Sequence, residues 1–283
     1  MIRIVSDSTC DLTPELVKRY NIIVLPLHVL LGDEEHRDGV DITPDEIYRW
    51  SDEHKTTPKT SAPSVEDAID VFRPVIEDGD EIIAFSISSG MSASYEYMQI
   101  AAKELKAVEK ISVIDSANLS TGIGHLVVEA AVKASGGMER DNIVKYIESL
   151  RGLVRASFVV DTLKYLYRGG RCSGLSALAG GALRIHPKIE VRDGAMLPTR
   201  KYRGKYSAVV LDYARDMEPE LLRAKSDRVF ITHSGIDPAI VESVRDYLVG
   251  LGHFEEILET RAGGVISSHC GYGTLGVLFI AGE

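Results

Sequence analysis

The sequence has few cysteines, a deficit of basic residues and no long apolar run. Its 283 residues include Cys10, Cys172 and Cys270, and three widely spaced thiols do not predict a disulfide framework. No stretch approaches the ~20 apolar residues of a membrane-spanning helix. Acidic residues outnumber basic ones by 42 to 32, and the net charge of −10 disfavours nucleic acid and anionic membrane as partners. With no signal-peptide pattern at the start, we expect a cytoplasmic globular protein without an integral membrane segment.

Several catalytic motifs are also missing. No Gly-x-Ser-x-Gly nucleophile elbow occurs, since Ser88-Ser89-Gly90-Met91-Ser92 has a different pattern. No Walker motif and no complete Gly-x-Gly-x-x-Gly fingerprint occur, so nucleotide binding has weak support. Cys270 is adjacent to His269 rather than at ligand spacing, and no second Cys/His cluster exists. We therefore expect no metal site.

The most informative stretch is the strand, turn and helix predicted between residues 81 and 105. Glu81 to Ser86 is short, apolar and bounded like a buried strand, and apolar residues recur at helical spacing from Tyr95 onward. Between them lies a Ser/Gly turn, with Ser92 placed as an N-cap. Such a turn offers backbone N–H groups, hydroxyls and the positive end of a helix dipole outside the carboxyl end of a strand. It suits a phosphate or carboxylate, although the same serines also serve as ordinary cap and turn residues.

The first half of the chain alternates strands with helices, which predicts a mainly parallel sheet with flanking helices. Lys55 to Ser64 is expected to be a loop rich in proline and hydroxyls, with Ser64 capping the next helix. Loops that follow the strands of such a sheet converge on one edge, so we expect a polar-lined site there. Four Ser/Thr clusters lie at these positions, namely Ser6–Thr9, Thr60–Ser64, Ser88–Ser94 and Ser116–Thr121.

The second half predicts a different architecture. Two apolar runs flank Asp193-Gly194, a strong β-hairpin signal, and two predicted helices separated by a strand follow. A hairpin beside helices predicts an α+β domain with a mixed or antiparallel sheet. We therefore expect an α/β protein of two domains, residues 1–153 and 154–283, with a short helix of small residues at 175–179.

Two further segments carry candidate functional groups. His269, between glycine-rich segments, is a potential general base or neutral donor to a ligand oxygen, or a residue that caps a turn. Arg168-Gly169-Gly170-Arg171 places two cations on a turn, where they meet phosphate or an acidic partner or remain solvated. Asp7 and Asp115 follow predicted strands, and we expect them to accept backbone N–H bonds rather than act as catalytic carboxylates.

An ordered set of motifs spans nearly the whole chain: Ser6-Asp7-Ser8 with Asp11-Leu12, Thr60-Ser61-Ala62-Pro63-Ser64, Ser88-Ser89-Gly90-Met91-Ser92, Asp115-Ser116, Gly169-Gly170-Arg171 and the segment from Ser267 to Gly276. Each motif alone is weak. Together they resemble the DegV family of bacterial fatty-acid-binding proteins. The chain departs from the usual family pattern at Ala62, Ala93-Ser94, Cys172 and Tyr272.

The resemblance implies a protein that binds one long-chain fatty acid between or beneath its two domains. It also implies a non-catalytic role, as the binding subunit of a fatty acid kinase whose separate ATP-binding subunit phosphorylates the carboxylate. No cofactor, metal or catalytic residue is then expected in this chain. The implied carboxylate contacts are Thr60 and Ser92, with Ser61, Ser89 and His269 as helpers, and the implied contact for the kinase subunit is Arg171.

Two enzyme hypotheses compete with this interpretation. An acyl hydrolase would use Ser92 as the nucleophile and His269 as the base, but the nucleophile elbow is missing. A small-metabolite phosphotransferase is the other alternative, because the family's fold resembles that of dihydroxyacetone kinase subunits. Nucleotide binding by the isolated protein would favour it, and no sequence motif predicts that binding.

Overall fold

The N-terminal half of the protein is built on a parallel sheet in the computed structural model, which describes residues 1–172 and 185–282. Its strands are β1 (Ile2–Asp7), β2 (Ile22–Leu25), β3 (His28–Leu31), β4 (Glu34–Arg37), β5 (Lys59–Ser61), β6 (Glu81–Ser86) and β7 (Ile111–Asp115). Its helices are α1 (Pro14–Arg19), α2 (Pro44–His54), α3 (Val65–Glu77), α4 (Ser94–Glu104), α5 (Thr121–Ser135) and α6 (Arg140–Arg151). Four of the strands pair in parallel in the order β2-β1-β6-β7, which confirms the predicted sheet.

A small antiparallel sheet, in the order β4-β3-β5, lies beside the parallel one. Pro26 separates β2 from β3 and so divides one apolar run between two sheets. The predicted loop from Lys55 to Ser64 is wrong over Lys59–Ser61, which form β5. This strand is only three residues long and is fixed by pairing with β3, so local sequence carries little signal for it.

The C-terminal half contains a mixed sheet, as predicted. Its strands are β8 (Val154–Arg155), β9 (Ser157–Val159), β10 (Ile185–Arg192), β11 (Ala195–Arg203), β12 (Arg228–His233), β13 (Glu256–Arg261) and β14 (Leu275–Ile280). Their order is β11-β10-β9-β14-β12-β13, with β8 on β14, and only β12 and β13 pair in parallel. Asp193 and Gly194 have φ of 49° and 76° and form the predicted hairpin turn. The predicted helix at 175–179 lies outside the described residues.

The helices of this half are α7 (Lys164–Gly169), α8 (Tyr206–Asp216), α9 (Glu218–Leu221), α10 (Pro238–Leu251) and α11 (Gly264–Cys270). His269 is therefore in the last turn of α11 rather than in a glycine-rich turn. Helix α4 begins at Ser94, so the prediction of Ser92 as its N-cap is wrong by one residue, and Ala93 occupies that position. Within the described residues, no helix is long and apolar enough to cross a membrane.

Helix α5 joins the two halves, because residues on several of its faces are buried. It packs on β1 and β6 of the parallel sheet and on β14 of the mixed sheet. A Cβ on Gly124 would lie 2.9 Å from Leu12, so glycine permits this close approach. The large apolar cluster around α5 includes residues of both halves, such as Ile4 and Phe158. The domain boundary at residue 153 stays a prediction. In chain order, the parallel sheet ends with β7 at Asp115, and the mixed sheet begins with β8 at Val154.

Candidate functional site

A cavity of about 270 Å³ lies where the two halves of the chain meet. Small-molecule sites are typically apolar cavities of about 300–1,000 Å³ with a few well-placed polar groups, so this one is slightly smaller than that range. We call one set of lining residues the polar wall: Thr60, Ser61, Ser92, Arg171 and His269. We call a second set the apolar wall: Leu27, Ile87, Met91, Leu119, Met196, Val265 and Ile266. The remaining lining residues are Ala62, Ala93, Tyr97 and Cys270.

The centre of the polar wall is a hydrogen-bonded pair contributed by the two halves. Thr60 Oγ1 on β5 lies 2.7 Å from His269 Nε2 on α11. Burial, with a smaller contribution from the Arg171 cation, lowers the pKa of His269 to about 4. The ring is therefore neutral at pH 7, and it acts as a hydrogen-bonding group rather than as a charge.

Ser92, Ser61 and Arg171 complete the polar wall. Ser92 Oγ lies 2.8 Å from Ser94 Oγ and accepts a hydrogen bond from the Ser94 N–H at the start of α4. Ser61 is exposed at the end of β5. Arg171 is also exposed, and its Nη1 donates to the carbonyl oxygen of Gly169 at 2.9 Å. The wall thus offers hydroxyls and one cation, which suit a ligand oxygen that carries negative charge.

Ser89 does not belong to this cavity. Its hydroxyl donates to Asp115 Oδ2 at 2.5 Å, and its backbone N–H donates to Asp115 Oδ1 at 3.2 Å. The turn therefore directs Ser89 toward the end of β7, away from the residues that line the cavity. Asp115 and Asp7 each accept backbone N–H bonds in turns, as expected from the sequence.

The predicted convergence of Ser/Thr clusters on a polar-lined site holds for two of the four, which contribute Thr60 and Ser61, and Ser92. The fourth cluster reaches the cavity only through the apolar side chain of Leu119. The first cluster contributes indirectly, because Ser8 Oγ accepts a hydrogen bond from the N–H of Leu27. The sequence did not identify the apolar wall. Most of its residues belong to no motif; Met91 lies within the Ser-Ser-Gly-Met-Ser turn, and Ile87 and Leu119 follow predicted strands.

Two buried aspartates of the N-terminal half hold the start of α11. Asp11 Oδ1 accepts the N–H of Gly263 at 2.8 Å, and Asp38 Oδ1 accepts the N–H of Gly264 at 2.6 Å. A Cβ on Gly264 would lie 2.9 Å from Asp38 Oδ1, so glycine is needed for this approach. Burial raises the pKa of both carboxyl groups, and their hydrogen bonds oppose that effect. Because α11 carries His269 at its other end, these bonds position the ring in the cavity.

A larger cleft of about 840 Å³ opens elsewhere between the two halves. Several of its charged side chains are paired with one another, as in the Lys188–Glu190 and Arg155–Glu220 ion pairs. The smaller cavity is the better ligand site, since an apolar wall with a few convergent polar groups is typical of such sites. Within residues 1–172 and 185–282, no group of His, Cys, Asp and Glu side chains is arranged to hold a metal ion.

Comparison with known proteins identifies the family of this chain. The model of a family described as "Uncharacterised protein, DegV family" matches residues 1–282. A DegV domain-containing protein of Caldanaerobacter subterraneus subsp. tengcongensis is 31% identical over 280 residues, 98% of each chain. A Thermus thermophilus DegV family protein, whose solved structure is described by its fatty acid binding, is 31% identical with a TM-score of 0.91 over 99% of each chain. A stearic acid-binding protein from Eubacterium ventriosum is 28% identical with a TM-score of 0.86 over 99% of this chain and 98% of its own. The protein belongs to the DegV family.

Proposed function

We propose that this protein binds one long-chain fatty acid in the cavity between its halves. The carboxylate lies against the polar wall, close to Thr60 and Ser92, and the acyl chain follows the apolar wall. The observation that carries the proposal is a mostly apolar cavity that contains the Thr60–His269 pair. The fatty acid binding of the Thermus thermophilus relative and the stearic acid of the Eubacterium ventriosum relative support the same ligand class.

The energetics favour the acyl chain as the main source of affinity. Burying about 14 methylenes contributes roughly 11 kcal/mol at ~0.8 kcal/mol for each CH₂. Association and ordering oppose this by about 4–15 kcal/mol. The apolar wall must therefore provide most of the binding free energy, while the hydroxyls of Thr60 and Ser92 orient the head group.

We further infer that the protein presents its bound carboxylate to a separate ATP-dependent kinase subunit and does not itself catalyse the transfer. Neutral donors such as Thr60 and Ser92 suit a carboxylate that must later accept a phosphoryl group. Arg171 is exposed and lines the cavity, so it is accessible to a partner protein as well as to the ligand. It is our candidate contact for the kinase subunit.

The acyl hydrolase hypothesis has less support. The Nε2 atom of His269 is bonded to Thr60 rather than to Ser92, and a ring whose pKa is about 4 is a weak base at pH 7. Turnover of a p-nitrophenyl ester that is abolished in Ser92→Ala would revive this hypothesis.

The test is organic extraction of the purified, denatured protein followed by mass spectrometry. We expect about one long-chain fatty acid for each protein molecule. Thr60→Ala and Ser92→Ala should each retain less, with affinity reduced about tenfold by loss of a hydrogen bond to a charged group. Ser89→Ala is the matched control, since it changes the same turn as Ser92 but lies outside the cavity.

Two results would contradict the proposal. The first is a protein that carries no lipid and takes up none when palmitate or oleate is offered. The second is a Ser89→Ala variant that loses as much lipid as Ser92→Ala, because the cavity would then not be the binding site.

A further inference from the structure

The ring of His269 is enclosed on the side opposite Thr60. Its Nδ1 atom is buried and has no hydrogen-bond partner in the described residues. The backbone of Gly169, the last residue of α7, covers that atom. A Cβ on Gly169 would overlap Nδ1 and would lie 3.3 Å from Cγ of the ring. Nδ1 of His269 therefore faces the Cα–H of Gly169 rather than a hydrogen-bond acceptor.

The turn after α7 is built to keep Gly169 in this place. Gly170 has φ of 67° and ends the helix in the left-handed conformation that favours glycine. Its N–H donates to the carbonyl oxygen of Leu166 at 3.2 Å. Arg171 then donates to the Gly169 carbonyl oxygen, which fixes the same peptide from the other side. The position of Gly169 is thus set by both of the residues that follow it.

This contact decides which ring nitrogen carries the proton. A proton on Nδ1 would be a buried donor aimed at a Cα–H group, and an unsatisfied buried donor is strongly disfavoured. A bare Nδ1 lone pair beside a C–H group is tolerated. Because the ring is neutral, the proton is on Nε2, and His269 donates to Thr60 Oγ1 across the 2.7 Å contact.

The hydrogen bond from His269 fixes the role of Thr60. Its oxygen accepts from Nε2, so its own hydroxyl proton is available to donate into the cavity. Ser92 is similar: its oxygen accepts from the N–H of Ser94, and its own hydroxyl proton is available to the cavity when Ser94 is the donor across their 2.8 Å hydroxyl contact. Among the described lining residues, the hydroxyls of Thr60 and Ser92 then face the head group as donors beside Ser61 and the Arg171 cation, and none of these residues is a carboxylate.

We propose that Gly169 is a positioning residue that holds His269 as its Nε2–H tautomer, so that Thr60 donates into the cavity and the site favours an ionised head group with two acceptor oxygens. This inference rests on the proposed function. It adds that an ionised carboxylate binds much better than a fatty alcohol of the same length. An alcohol has one acceptor oxygen and no charge, so it makes fewer and weaker hydrogen bonds to the donors of the polar wall.

The first measurement is ¹⁵N–¹H correlation NMR of the histidine rings in the full-length protein, with His269 assigned by comparison with His269→Gln. We expect Nε2 to be protonated and Nδ1 to be bare. A protonated Nδ1 would overturn the inference. This measurement reports on the ring whether or not a lipid binds, so its failure is distinct from failure of the proposed function.

The second measurement is competition binding with palmitate and hexadecanol as probes. We expect the wild-type protein to prefer palmitate by about tenfold or more, because hydrogen bonds to a charged group are stronger than those to a neutral one. Gly169→Ala should displace the His269 ring, weaken palmitate binding about tenfold and remove most of the preference. Gly152→Ala is the control, because a Cβ there meets nothing within 4 Å.

The outcomes separate the two proposals. Equal affinity for palmitate and hexadecanol in the wild-type protein would refute the selection by Thr60 and leave lipid binding intact. Unchanged palmitate binding in a folded Gly169→Ala protein would refute the positioning role. Binding of neither probe would overturn the proposed function instead, and the tautomer would still be measured by NMR.

Discussion

The hydrogen bonds that anchor α11 should make Asp38 one of the more sensitive positions in the protein. Asp38 accepts the Gly264 N–H at 2.6 Å and the Ser8 hydroxyl at 2.8 Å, and its side chain is buried. Replacing it with alanine leaves both donors without a partner. Each buried hydrogen bond to a charged group contributes about 1.5–3 kcal/mol, and part of the loss is offset because a buried carboxylate is removed. We expect Asp38→Ala to lower the free energy of unfolding by about 2–4 kcal/mol.

Asp38→Asn separates the hydrogen bonds from the charge. An asparagine keeps an amide oxygen for the Gly264 N–H, so we expect a loss of only about 1 kcal/mol. The assay is urea unfolding at pH 7, followed by circular dichroism, together with lipid retention after purification. Asp38→Ala should also retain less fatty acid, because α11 carries His269 into the cavity. Asp33→Ala, at an exposed position in the same region, is the control.

An Asp38→Ala protein that unfolds at the same urea concentration and with the same slope as the wild-type protein would refute this reasoning. In that case the carboxylate would not stabilise the start of α11, and the position of His269 would depend on other contacts. A protein that is destabilised but retains its full lipid would refute only the link between α11 and the cavity.

Two further predictions concern pH and chain length. Glu129 is buried; burial raises its pKa, but hydrogen bonds from Tyr146, Lys225 and Arg228 lower it from 4.5 to about 2. The ionised Glu129 should contribute about 3 kcal/mol to the free energy of unfolding above pH 4.5, and this contribution should be lost as the pH falls toward 2. In urea unfolding, Glu129→Gln should therefore be less stable than the wild-type protein at pH 7, and its free energy of unfolding should change less with pH in acid. For the ligand, each added methylene should tighten binding about fourfold until the apolar wall is covered, as measured by calorimetry with saturated acids of increasing length; a flat series would contradict a binding site dominated by the acyl chain.

Much of the fold could be predicted because its signals are local. The run from Glu81 to Ser86 is apolar and bounded by polar residues, so its strand is evident from sequence alone. Asp193-Gly194 supplies the two positive φ angles that a tight hairpin needs. The ordered motifs that resemble those of the DegV family point to Thr60, Ser92 and His269, and all three line the cavity. Their contact with a carboxylate stays a prediction.

The remaining features depend on contacts between distant parts of the chain. Helix α11 contains a glycine at its start and a Ser-Ser pair inside, and it forms because Asp11 and Asp38 accept its first N–H groups. The strand at Lys59–Ser61 exists only as a partner of β3. Ser89 bonds to Asp115 whereas Ser92 lines the cavity, because the turn between them points the two side chains in different directions. The spacing of apolar residues in the sequence does not predict those directions.

The cavity wall is shared between two halves that are built on different sheets. A ligand bound there as proposed would contact both halves, and it would stabilise the native chain in proportion to the logarithm of its free concentration over its dissociation constant. At a hundredfold excess over that constant the gain is about 2.7 kcal/mol. The melting temperature of a purified sample then becomes a measure of its lipid occupancy. A partly loaded preparation should melt in two steps, and after the lipid is stripped only the step at the lower temperature should remain.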